Sequence, residues 1–155
     1  MVVYTLHKKQ KLPITKKKAW EFLSNPANLK VITPKEMNFD IISKIDREIY
    51  AGQIIQHQVT PMMGIKTTWV SKIVHVEKYK YFVDEQLQGP YAFWSHKHFV
   101  NEIENGVEME DIIDYKVPLG FIGKLAHPLL VKPKLEEIFN YRQQKLIEIF
   151  GEYNG

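Results

Sequence analysis

A change in the spacing of apolar residues after Pro118 dictates what this 155-residue chain can fold into. From Phe39 to Val117 they come in short β-branched and aromatic runs. Asp46, Ala51-Gly52, Pro61 to Gly64, Gly89-Pro90 and Asn105-Gly106 break the runs. Alternation in twos marks strands with one buried face, and closely set turn signals make successive strands antiparallel neighbours. Strands are expected near 2–11, 38–45, 47–50, 53–60, 65–78, 80–88, 92–104 and 107–117. After Pro118 the spacing becomes three and four. Leu135, Ile138, Phe139, Arg142, Leu146, Ile149 and Phe150 form one helical stripe.

Two helices are expected there, around 119–127 and 132–150, separated by Pro128 and Pro133. Near the start, Thr15 can cap a helix carrying Ala19, Trp20, Phe22 and Leu23, and Pro26 can open a short one through Leu29. A sheet with one apolar face must cover it, and the terminal helix is the only element long enough. The expected fold is therefore α+β: a curved antiparallel sheet of about six to seven strands around a long C-terminal helix, with two short helices after the first strand. A sheet bent around a helix can leave a cavity between them.

Length suits one domain over residues 1–155, with no linker or repeat. Cysteine is absent, which excludes a disulfide framework, a thiol nucleophile and cysteine-held metals. The formal charge is +3, and six lysines lie between Lys8 and Lys18. They read as a solvated strand end and helix face. With only Arg47 and Arg142 as arginines, no nucleic-acid partner is expected. No apolar run reaches the ~18–20 residues of a membrane span, and residues 1–7 alternate rather than forming a leader. The expectation is a cytoplasmic protein without stable membrane insertion. No protein partner can be inferred.

The Asn105-Gly106 pair predicts a two-residue hairpin turn. That register sets Val100 opposite Asp111, His98 opposite Ile113 and His96 opposite Tyr115. One face carries Trp94, His96, His98, Val100, Met109, Asp111, Ile113, Tyr115 and Val117. The other holds more charge and should face water. Two histidines, an aspartate and a tyrosine thus fall on a mostly apolar inner wall, where polar groups are costly unless bonded.

His96, His98, Asp111 and Tyr115 are the candidate chemistry. They could order the hairpin as a hydrogen-bonded network, orient a ligand, or serve as acid and base. The His96-x-His98 spacing also suits a metal site on a sheet, with Asp111 on the neighbouring strand as a third ligand, but the register sets Asp111 opposite Val100 and no further His or carboxylate clearly converges. No metal and no cofactor are expected. Trp69, Phe82, Trp94, Met62, Met63, Met109 and Ile113 are candidate pocket or core residues. Pro61 to Gly64 is a candidate rim loop, and Phe121, Ile122, Leu125 and Leu129 form a second. Arg142, within the apolar stripe, can pair with Asp84 or Asp111, meet an acidic ligand head, or reach water with its tip.

The motifs Asp84-Glu85-Gln86, Gly89-Pro90-Tyr91 and Trp94-x-His96-x-His98-Phe99 stand with Asp111, Tyr115 and Pro118-x-Gly120. Ile32-Thr33-Pro34, Met37-x-Phe39 and Phe139-x-Tyr141-Arg142 join them. Together they resemble the SRPBCC superfamily, which includes START domains, birch-pollen-allergen-like proteins and polyketide cyclases, and most of all its small single-domain bacterial ligand-binding branch. The resemblance implies a helix-grip fold that holds a small hydrophobic or amphipathic ligand, lipid-like or polycyclic, between sheet and helix. The ligand-binding candidates are then Trp69, Phe82, Trp94, His96, His98, Met109, Asp111, Ile113, Tyr115, Phe121, Leu125 and Arg142. The alternative is an enzyme of cyclase or dehydratase type using His96, His98, Asp111 and Tyr115 in the same cavity.

Overall fold

The computed structural model describes residues 2–61 and 64–155. Strand β1 (Tyr4–Leu12) is followed by helix α1 (Lys16–Leu23) and two 3-10 turns, Pro26–Lys30 and Lys35–Met37. Strands β2 (Asp40–Ile41), β3 (Ile54–Val59), β4 (Thr67–Glu77), β5 (Tyr81–Gln88), β6 (Phe93–Ile103) and β7 (Gly106–Lys116) come next. Helix α2 (Gly120–Ala126), a π-turn (His127–Val131) and the long helix α3 (Lys132–Phe150) complete the order. The strands form one antiparallel sheet, β1-β7-β6-β5-β4-β3-β2. This is the expected helix-grip α+β architecture. The Thr15 hydroxyl caps α1 by accepting from the Lys18 amide at 3.2 Å, and Asn25 caps the turn at Pro26.

Two strand expectations shrink. The run near 38–45 pairs only at Asp40–Ile41, and 47–50 forms no strand. Ile49 is nevertheless buried within the apolar core, so its hydrophobicity plugs the core rather than extending a ladder. Met62 and Met63 lie outside the described residues.

The β6–β7 register differs by two residues from the expected one. Ile103 pairs with Gly106, so Glu104 and Asn105 form the turn, with Asn105 at φ 58°. Gly106 does not supply the turn's positive φ. It makes room for β1: a Cβ there would lie 2.2 Å from the Leu12 carbonyl oxygen. A slip of two preserves which side chains share a face, so the inner wall is the expected one. Its pairings change, and His98 stands opposite Asp111 and His96 opposite Ile113.

Register shifts at Val70/Ser71 and Ile73/His75 interrupt the β4–β5 ladder. Such irregularities bend a strand and add to its twist. The curved inner face meets α3 through two apolar clusters. One gathers Leu12, Trp20, Val100, Val107, Met109 and Leu146 among others. The second includes Leu6, Trp94, Ile113, Tyr115, Leu135 and Phe139. On β6, β7 and α3, polar residues fall between the two clusters.

Helix α2 turns its apolar side outward. Gly123, His127 and Val131, four residues apart, face the protein. Gly123 sits so close to the end of β7 that a Cβ would lie 1.9 Å from the Pro118 carbonyl oxygen. Phe121, Ile122, Leu125 and Leu129 are exposed.

Candidate functional site

The polar residues between the clusters form a band across the sheet. Strand alternation aims each one inward. His57 alternates with Ile55 and Val59 on β3, Ser71 with Ile73 on β4, and Asp84 with Phe82 on β5. His96 and His98 lie between Trp94 and Val100 on β6, and Asp111 between Met109 and Ile113 on β7. Arg142 descends from α3, between Phe139 and Leu146, to close the band.

One half of the band is internally bonded. His96 Nε2 donates to Asp111 Oδ1 at 2.8 Å, and His98 Nε2 donates to Asp84 Oδ1 at 2.7 Å. His98 Nδ1 lies 3.3 Å from Asp111 Oδ1 without hydrogen-bond alignment. An Arg142 guanidinium nitrogen also approaches Asp111 Oδ1 at 3.3 Å. The two imidazoles stack with centroids 3.6 Å apart, and Phe82 stacks on the far side of His98 at 4.1 Å.

This geometry sets the protonation states. Burial would raise the Asp111 carboxyl, but the Arg142 charge and the His96 bond hold it well below the usual range. Burial likewise opposes ionisation of Asp84, and the His98 bond and charge outweigh it. Burial pulls the His98 pKa down, yet two facing carboxylates raise it overall. His96 falls to about 4, through burial and the neighbouring His98 charge. Asp84 and Asp111 thus face Arg142 and a His98 whose pKa they raise, while His96 stays neutral.

Asp84, His96 and His98 bring one potential metal-ligating atom each within 4.8 Å of one another. Arg142 already places a positive charge beside Asp111. The Nε2 atoms of both histidines are also engaged with carboxylates. The donor set therefore fits a closed ion-pair network better than an open metal site.

The other half of the band has unmet hydrogen-bonding capacity. His57 Nδ1 and Arg142 Nε are buried with no partner among the described residues. Burial lowers the His57 pKa to about 4, so the ring is neutral near pH 7. It lies between Phe39, at 4.7 Å, and Trp69, at 5.9 Å.

These atoms border a cavity between sheet and α3. A lobe of about 160 Å³ is walled by Phe39, Trp69, Trp94, Tyr91, Ile138 and Phe139. A second, of about 90 Å³, is walled by Phe22, Leu23, Ile49, Ile55, Ile73 and Phe82. His57, Ser71, Asp84, His98 and Arg142 line both, so the lobes meet at the polar band. Each greatly exceeds the ~10–15 Å³ that admits one water.

Of the sequence candidates, Trp69, Phe82, Trp94, His96, His98 and Arg142 line one lobe or both. Asp111 lies just behind them, bonded to His96. Met109 and Ile113 are packed in the core clusters. Tyr115 is buried away from both lobes; its hydroxyl bonds His127 Nε2 at 2.8 Å, and Tyr4 stacks on His127 at 3.5 Å. Burial raises the Tyr115 pKa to about 12. Phe121 and Leu125 point outward from α2, 74% and 58% exposed, because the inner positions of that helix are taken by Gly123 and His127. Sequence reasoning passes over His57 and Ser71, although Ile55-x-His57-x-Val59 signals a polar residue on a buried face. It weighs Asp84 only as a partner for Arg142.

No protein-family model matches the sequence, and no curated protein does. Solved structures share the fold. A point mutant of norcoclaurine synthase from Thalictrum flavum, in complex with a transition-state analogue, aligns with TM-score 0.65 and 16% identity over 96% of both chains. Major latex-like protein 151 from Panax ginseng aligns at 0.69 and 10% identity, over 96% of this chain and 97% of that one. A protein of Thermus thermophilus aligns at 0.70 and 10% identity, over 94% of this chain and 99% of that one. The chain shares the helix-grip fold of these structures.

Proposed function

We propose that this chain binds a small apolar or amphipathic molecule in the cavity between the sheet and α3. The observation that carries this reading is the pairing of two apolar lobes with a polar band holding unbonded nitrogens, His57 Nδ1 and Arg142 Nε. Buried polar atoms without partners are rare in folded proteins, and each costs ~1–3 kcal/mol. A ligand oxygen would meet that need. Apolar walls would supply most of the affinity, at roughly 25 cal/mol per Å² removed from water, less the ordering cost.

The charge balance supports an uncharged polar end. With Asp84 and Asp111 matched by His98 and Arg142, a carboxylate would enter without a free counter-charge. Such burial is unfavourable by several kcal/mol. Hydroxyl, phenol and carbonyl groups fit better. The ligand class is therefore a neutral amphiphile, lipid-like or polycyclic.

Titration with naphthalene, 2-naphthol and 2-naphthoate, read by fluorescence of Trp69 and Trp94 and by calorimetry, tests this. 2-Naphthol should bind best, about fivefold or more tighter than naphthalene, as one added hydrogen bond allows. If none of the three binds, the cavity reading fails. If 2-naphthoate binds best, the uncharged-head reading fails alone.

One observation favours a second reading. The His98–Asp84 pair lies on the cavity wall, where a proton could pass to or from a bound molecule. A cyclase or dehydratase would use it in that way. Turnover abolished by Asp84→Asn with ligand binding retained would support it.

A further inference from the structure

The outer surface of residues 119–130 is a feature that the cavity does not absorb. Leu119, Phe121, Ile122, Leu125, Leu129 and Leu130 are between 55% and 77% exposed. Clustered exposure of large apolar residues at this density marks an interaction surface. The helix has not simply been set down the wrong way round. Its inner positions are Gly123, His127 and Val131, and Gly123 has no room for a side chain. His127 is held by Tyr115 and Tyr4. The sequence commits its small and bonded residues to the interior and its leucines and phenylalanine to the outside.

Charge within the stretch that carries this surface is basic. Lys116, Lys124, Lys132 and Lys134 fall between Tyr115 and Leu135, and that stretch contains no Asp or Glu. Just beyond it Glu136 is paired with Lys8 and Glu137 with Lys134, and Glu36 lies beside Leu130 at the surface's edge, so the basic character rests on Lys116, Lys124 and Lys132. The position also matters. Leu130 and Lys134 lie beside Pro61 and Gly64, and Pro61 and Lys134 also border the larger lobe of the cavity. The apolar surface therefore runs up to the cavity's edge.

We propose that this face seats reversibly on an anionic lipid bilayer, with the edge of the cavity turned toward the lipid. An exposed apolar helix flanked by lysines is the pattern that settles into the headgroup boundary, and its affinity combines apolar burial with attraction to anionic lipids. Attachment is interfacial, since no helix among the described residues is long and apolar enough to cross a membrane. Pairing with a second copy is disfavoured, because a two-fold contact brings Lys116, Lys124 and Lys132 of one copy toward the same lysines of the other.

Co-sedimentation with vesicles of phosphatidylcholine, alone or mixed with phosphatidylglycerol, tests the proposal. The intact chain should bind the mixed vesicles and release them at high salt. The double variants Phe121→Ser/Leu129→Ser and Lys124→Gln/Lys132→Gln should each weaken binding roughly tenfold or more. Both change exposed side chains, so an unchanged melting curve will show that the fold is intact. Failure to bind the mixed vesicles overturns the proposal, as does binding that neither variant weakens. A concentration-dependent dimer dissolved by Phe121→Ser/Leu129→Ser, without vesicle binding, assigns the face to self-association instead.

Discussion

Asp111 stands directly across the β6–β7 ladder from His98, and a single oxygen of its carboxylate is approached by His96, His98 and Arg142. That oxygen ties β6 and β7 to α3 at the point where the two apolar clusters separate. The polar band therefore fixes how the sheet meets the long helix, and with it the shape of the cavity.

Removing one partner should expose how much the fold depends on this junction. Arg142→Met leaves the Asp111 carboxylate buried without its cation and should destabilise by about 3–5 kcal/mol. Adding Asp111→Asn removes the stranded charge. The double variant should then be less destabilised than the sum of the singles, by about 1–3 kcal/mol. Urea unfolding of the four proteins measures this cycle. Strict additivity would mean that the two side chains act independently.

Stability should peak near pH 6.5. His57 and His96 are buried neutral with pKa values of about 4, against ~6.5 when unfolded. Between those values the unfolded chain binds more protons, so stability falls on acidification, by up to roughly 1.4 kcal/mol per pH unit for each group. His98 has the opposite sign. Its folded pKa is raised, so its contribution is complete below the unfolded value and is lost as pH rises through the folded one. Unfolding at pH 4.5, 6.5 and 8.5 checks both limbs, and His57→Phe should flatten the acid limb only.

Two glycines should resist even the smallest substitution. Gly106→Ala sets a methyl group against the Leu12 carbonyl, and Gly123→Ala sets one against the Pro118 carbonyl. Both obstacles are backbone, so neither can swing aside. Each variant should lose roughly 1–3 kcal/mol; at this chain length about 1 kcal/mol lowers the melting temperature by a few degrees. Gly64→Ala serves as a control for space, since a Cβ there meets nothing, although φ is 69°. Its cost should come from backbone strain alone.

Tyr115→Phe should cost about 1–3 kcal/mol, because it leaves the buried His127 Nε2 without its partner. Ligand affinity should stay unchanged, since Tyr115 lines neither lobe. Parallel melting and 2-naphthol titrations separate the two effects.

The fold was legible because alternation in twos and in threes and fours is written directly into the apolar spacing. The inner face of β6 and β7 was legible for the same reason. Its register was not, because Asn105-Gly106 has two uses. The glycine reads locally as a turn residue, whereas the space it saves lies against β1, far earlier in the chain. The outward turn of Phe121 and Leu125 was hidden similarly. Periodicity shows that a helix has an apolar side, but the close approach of Gly123 to Pro118 decides where that side points. His57 and Ser71 join the site only through the curvature of β3 and β4, which the sequence does not specify.

Native mass spectrometry of the protein purified from its own source tests the central claim most directly. The account predicts additional mass from one uncharged small molecule, retained by the folded chain and lost on denaturation. It also predicts that 2-naphthol in excess displaces that molecule. A folded chain that carries no added mass, and takes up neither 2-naphthol nor naphthalene, would contradict the account.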